Sequence, residues 1–278
     1  MIRAPWRDQS GAVSSLKIAA LVAACLPALW IAAQALLGEL GPRPVTAALH
    51  QSGDWSVRFL ALTLLVTPLR RIAQWPRAII VRRMIGLTAL FYAILHVGLY
   101  VVDQKFDLVK VVSEIVLRVY LTIGFVALAG LVALGVTSTD AMIRRLGSDR
   151  WNRLHALVYP LTALALVHFF IQSRLDVTQP VLMTGLVLLL IGHRLMVKRR
   201  LPTGPLALAG LAVTGGLATA LVEFAWYALA TGANPWRVLK ANLDFVYTIR
   251  PAWWVFTAGL AAAVLAVLRQ KKPALSRA

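Results

Sequence analysis

Residues 151–171, WNRLHALVYPLTALALVHFFI, limit most strongly what this chain can become. The run is apolar and long enough to enter a bilayer core, which needs roughly 20 helical residues. Yet it carries two imidazoles, His155 and His168. Hydrocarbon offers an imidazole no hydrogen bond, so ionisable side chains in spans face a bundle interior and mark a pathway or a ligand. At ~1.5 Å per residue the two lie about 20 Å apart, one near each end of the span. An ideal helix turns ~220° over that distance, so the rings share no face unless the intervening Pro160 kinks the helix.

The remaining chain has the same character. Only 14% of its 278 residues are charged and 59% are hydrophobic, against roughly 25% charge in soluble domains. Besides 151–171, where the span itself covers 154–171, apolar runs occupy 18–37, 55–67, 85–102, 115–136, 181–197, 206–230 and 252–268. The spacing predicts an all-α, polytopic transmembrane helical bundle of about eight spans. The run at 55–67 is short and carries Arg58, whose long side chain would snorkel to an interface. Residues 18–37 follow basic residues as a signal peptide does, but end in no small-x-small cleavage pattern, so a retained first span is expected.

A net charge of +18 would suggest nucleic acid in a soluble chain. Here the basic residues sit between apolar runs, where the positive-inside rule accounts for them and nucleic acid drops out. With a cytoplasmic N-terminus, 20 of the 29 Lys and Arg fall in inside segments, and both termini are then cytoplasmic. The expected location is a bacterial inner membrane, with lipid as a constant partner. Residues 231–251, the longest non-spanning piece, read as an interfacial segment on the outer side.

The single cysteine, Cys25, rules out an intrachain disulfide, a four-thiolate iron–sulfur cluster and C-x-x-C-H haem attachment. Any haem is therefore held without covalent links, as haem b. Of the five histidines, His96 and His168 lie at similar depth on two spans that run in the same direction. That placement suits two axial ligands on opposite faces of one macrocycle; interhelical hydrogen bonds are the competing use. Behind His96, Ala93, Ala89 and Gly86 form a stripe of small residues that leaves room for a ring or lets helices pack closely. Near the inner end, the residue at the depth of His155 on the third span is Arg82, so an inner haem site lacks a second histidine there. His50 reads as a surface residue and His193 as interfacial. Glu223 is the one acid deep in a span, a candidate for proton movement or for pairing with a base.

Several strings appear in a fixed order: LLVTPLRR at 64–71, RRMIGLTALFYAILHVGLY at 82–100, RVYLTIGF at 118–125, TSTDAMIRRLGSDRWNRLHALVY at 137–159 and LVHFF at 166–170. Together they resemble the haem-binding membrane subunit of the periplasmic protein-methionine-sulfoxide reductase system, within the ferric-reductase-like transmembrane group. The resemblance implies a haem-binding transmembrane domain at 17–200 with a six-helix core, after a tail at 1–16; the last two spans, a two-helix extension at 201–278, depart from that family pattern. It implies that His96, His155 and His168 are the haem-associated, iron-ligating histidines, with one or two haems. It also implies an electron-transfer subunit serving a periplasmic molybdopterin-containing reductase, and not itself the catalytic subunit. The donor would be the quinone pool or a flavin reductase at the inner face. Arg82 and Arg83 are the basic pair best placed to hold haem propionates or an FMN phosphate. A transmembrane ferric-chelate reductase and a haem-free transporter or scaffold are the alternatives. No G-x-G-x-x-G motif follows a strand, so the chain has no nicotinamide site of its own.

Overall fold

The computed structural model describes residue 6 and residues 11–174, 176–246 and 248–270; most of the expected tail at 1–16 lies outside the described residues, as do Lys271, Lys272 and Arg277. Among the described residues the regular structure is entirely helical. The α-helices are α1 (Ser15–Leu36), α2 (Pro44–Ile72), α3 (Arg82–Asp103), α4 (Leu108–Leu117), α5 (Val119–Val136), α6 (Asp140–Leu146), α7 (Ser148–His155), α8 (Val158–Ser173), α9 (Thr178–Lys198), α10 (Pro205–Ala230), α11 (Pro235–Lys240) and α12 (Pro251–Gln270). Seven helical stretches in the described residues are long and apolar enough to cross a membrane. The eighth expected crossing lies in α2, whose 29 residues suffice in length. Its Gln51, Asp54 and Arg58 keep it more polar than the rest.

The fourth expected span is corrected at its start. Residues 115–136 do not form one helix: Arg118 is extended at φ −109°, ψ 107°, and separates α4 from α5. The Asp107 carboxylate caps α4 by accepting from the Lys110 N–H at 2.9 Å. At the break, the Thr122 hydroxyl donates to the Ile115 carbonyl at 2.6 Å.

The chain forms two compact units: residues 1–63 with 80–168, and residues 64–79 with 169–278. Proline shapes both. In the first, Pro27 lies inside α1, where a missing N–H weakens the helical ladder. The buried Tyr92 hydroxyl of α3 enters the next step, accepting from the Ala28 N–H and donating to the Ala24 carbonyl, each at 2.8 Å. A side chain inserted into the ladder is a recognised cause of a helix bend. Tyr92→Phe should therefore leave a buried N–H and C=O unpaired and cost about 1–3 kcal/mol of stability. Thermal unfolding in detergent checks this.

In the second unit Pro68 sits in α2 and cannot bond the Leu64 carbonyl four residues earlier. The Arg194 guanidinium of α9 donates to that carbonyl at 2.8 Å instead. His193 beside it is 5% exposed, packed within the second unit. The helices α9, α10 and α12 approach closely through Gly185, Gly215, Gly216 and Gly259, where a Cβ would meet side chains or backbone of a neighbouring helix.

Pro160 decides the continuity of the stretch 151–171. Its lost N–H ends the helical run at Ala156 and Leu157, and it falls in the first turn of α8, where proline is tolerated. His155 and His168 consequently stand on two separate helices.

Candidate functional site

His96 on α3 and His168 on α8 meet within the first unit. Their ring centres are 6.3 Å apart and their planes are nearly perpendicular, at 85°. Each ring is held the same way. His96 Nδ1 bonds the Leu49 carbonyl of α2 at 2.8 Å, an oxygen that also accepts from the Ser52 hydroxyl. His168 Nδ1 bonds the Tyr120 carbonyl of α5 at 2.7 Å. A carbonyl only accepts, so each Nδ1 carries the proton and each Nε2 keeps its lone pair. Among the described residues neither Nε2 has a hydrogen-bond partner.

A glycine makes each bond possible. Four residues beyond Leu49 is Gly53, and a Cβ built there would lie 2.8 Å from His96 Nδ1. Four residues beyond Tyr120 is Gly124, and a Cβ there would lie 2.8 Å from His168 Nδ1. Both distances are too short for carbon, so only glycine lets the rings rest on the helix backbone. The small-residue stripe has a different use. Gly86 faces Thr63, and the Ala89 carbonyl accepts from the Ser56 hydroxyl at 3.0 Å, so that part of the stripe seats α3 against α2.

This donor set fits an axial pair on a macrocyclic iron. An imidazole nitrogen binds a first-row metal at about 2.0 Å and its ring centre lies about 1.1 Å further on, so two ligands in line put ring centres about 6.2 Å apart. No group of three or more His, Cys, Asp or Glu that could hold a metal ion occurs among the described residues. Two imidazoles alone leave a metal short of ligands, and a porphyrin would supply the remaining four nitrogens. The Tyr120 ring also stacks on His168, 6.3 Å between centres at 28°.

The other expected residues gather elsewhere in the same unit. His155 Nε2 bonds the Thr137 hydroxyl at 3.1 Å, and its ring stacks on Trp151 at 3.8 Å between centres. The Trp151 indole N–H in turn donates to the Thr137 carbonyl at 2.9 Å. Arg82 is half-buried and Arg83 exposed, and both lie near enough to His155 to act on it electrostatically. Arg83 is already paired with Asp140 at 2.7 Å. His50 is exposed, close to His96. Sequence reasoning missed Gly53, Gly124, Thr137 and Trp151. Gly124 stood in the string RVYLTIGF, but nothing local to it names His168 as its neighbour.

A family described as ferric reductase like transmembrane component matches residues 52–166, a window that contains Gly53, His96, Gly124 and His155 and stops just short of His168. A protein of Rhodospirillum rubrum named protein-methionine-sulfoxide reductase heme-binding subunit MsrQ is 41% identical over 197 residues, which cover 70% of this chain and 92% of that protein. The chain belongs to the MsrQ family. The MsrQ of Herminiimonas arsenicoxydans is 38% identical over 63% of this chain and 82% of its own length. That of Xanthomonas euvesicatoria is 40% identical over 57% and 73%. No solved structure matches the chain. With its family and its seven membrane-competent helices, this MsrQ relative is a multi-pass membrane protein.

Proposed function

We propose that this MsrQ-family chain is the haem b-binding membrane subunit of a methionine-sulfoxide reductase. It carries electrons from quinol or flavin at the inner face of the bacterial inner membrane to a periplasmic molybdopterin-containing catalytic subunit. The observation that carries this reading is the facing pair His96 and His168, each with Nδ1 tied to a backbone carbonyl. The printed names of the relatives, heme-binding subunits of protein-methionine-sulfoxide reductase, support the same assignment.

Haem, when bound, supplies a one-electron redox centre whose potential follows its ligands and its burial. The chain's residues do the rest. The carbonyls of Leu49 and Tyr120 fix the tautomer and orientation of the imidazoles and raise their basicity toward iron. At the Arg82 end of α3, the half-buried Arg82 is better placed than the paired Arg83 to receive an anionic group, a propionate or a flavin phosphate. His155, already bonded to Thr137 and stacked on Trp151, supports that end rather than the facing pair.

The test is a pyridine haemochrome assay with visible spectra on the purified chain and its His96→Ala, His168→Ala and His155→Ala variants. Loss of the main haem in the first two and a partial effect in the third are expected. Full haem retained in both His96→Ala and His168→Ala refutes the ligand pair. The matched family description also favours a second acceptor, a ferric chelate. Faster oxidation of the reduced protein by ferric chelates than by a molybdoprotein partner would select it.

A further inference from the structure

The second unit holds a polar cluster that the haem reading does not use. Glu223 of α10 is 2% exposed, and its Oε1 accepts from Arg250, just before α12, at 2.7 Å. Asn242, 8% exposed, follows α11 and approaches the same carboxylate. Its backbone carbonyl accepts from the Trp253 indole at 2.7 Å, which fixes the loop that carries it. Three buried polar atoms of this cluster have no hydrogen-bond partner among the described residues: Glu223 Oε2, Asn242 Oδ1 and Arg250 Nε.

Buried polar atoms in native proteins are nearly always paired, with protein or with ordered water. A single orphan would be an isolated loss. Three in one cluster, two acceptors and one donor, define a ligand by its hydrogen-bonding valence. It must bring two O–H or N–H donors and one acceptor, which is the complement offered by one water molecule. An anion is excluded by the carboxylate, and a cation by the guanidinium.

We propose that Glu223, Asn242 and Arg250 cradle a bound water, and that this water makes the Glu223 carboxyl a proton-exchange site in the C-terminal unit. The water accepts from Arg250 Nε–H and donates to Glu223 Oε2 and Asn242 Oδ1. A proton reaches the carboxyl by exchange through the neutral water: the water gives one O–H proton to Glu223 Oε2 as it takes another from solvent outside the cradle, leaving neutral water and a carboxylic acid; the return step restores the carboxylate and releases the proton to solvent. The other groups near the carboxylate are Arg250 and, one turn along α10, Tyr227, on which Asp176 also acts. Ionisable groups kept inside membrane segments are a recurrent sign of proton relays. The site lies outside the matched family window of residues 52–166 and does not depend on the haem assignment.

The test uses the full chain in lipid nanodiscs and infrared difference spectra between ordinary water and H2 18O. The wild type should show an O–H stretching band that shifts with the isotope and a protonatable carboxyl C=O band. Both should vanish in Glu223→Gln. The first should vanish in Asn242→Leu, which leaves the Glu223–Arg250 pair intact and serves if Glu223→Gln fails to fold. Absence of the isotope-sensitive band from the wild type, or its persistence in Asn242→Leu, overturns the proposal.

Discussion

Gly124→Val is expected to abolish the two-histidine haem binding proposed for His96 and His168, and Gly53→Val to do the same, while both proteins still insert and retain their helical content. Valine is taken well in apolar helices and removes no chemical group that touches a ligand. Its Cβ, however, would lie 2.8 Å from imidazole Nδ1, closer than van der Waals contact allows. The ring cannot yield without breaking its bond to the carbonyl of Tyr120 or Leu49. That bond sets the orientation of Nε2, the atom proposed to hold the iron, so displacing the ring would spoil the proposed coordination. Alanine introduces the same Cβ and should give a weaker form of the defect. Visible and electron paramagnetic resonance spectra, beside circular dichroism, separate ligand loss from misfolding. An unaltered spectrum in both valine variants would show that the two glycines do not seat the rings.

The second large effect is one of stability. Arg250→Met should lower it by about 3–5 kcal/mol, because an uncompensated carboxylate remains buried. Glu223 is 2% exposed and its paired oxygen lies 2.7 Å from the guanidinium. The double variant Glu223→Met with Arg250→Met should regain most of that loss, since replacing a whole buried ion pair by apolar side chains is frequently neutral. Thermal unfolding of the wild type, both single variants and the double variant in the same detergent forms a double-mutant cycle. A loss in the double variant equal to the sum of the two single losses would mean that the pair contributes nothing beyond the packing of each side chain.

Much of the architecture was legible because a bilayer enforces simple rules on sequence. Apolar runs of adequate length mark helices, since no other open element satisfies its backbone in hydrocarbon. The depth match of His96 and His168 followed from counting residues along two such helices, and the ring centres lie 6.3 Å apart. Glu223 stood out as an acid inside an apolar run, and it pairs with a base. The break at Arg118 escaped notice because Ile115, Val116, Leu117 and Val119 are as apolar as the helix that follows. Hydropathy does not register a single extended residue.

What could not be read locally was partnership across helices. Leu49 and Tyr120 contribute through carbonyl oxygens that every residue possesses, and Gly53 and Gly124 through a side chain they lack. No composition or spacing marks such contributions. The prolines show the same division: Pro160 announces a disturbed helix in the sequence, but only the fold shows that Arg194 takes the carbonyl freed by Pro68 and that Tyr92 enters the helical step next to Pro27. The sequence by itself determined that the chain is a helical membrane protein with two imidazoles at one depth, because hydrophobicity and helical rise are properties of the chain alone. Tertiary structure decided that the two rings confront each other on glycine seats, and that His155 stands apart with Thr137 and Trp151. Those outcomes depend on which helices become neighbours and how each is rotated.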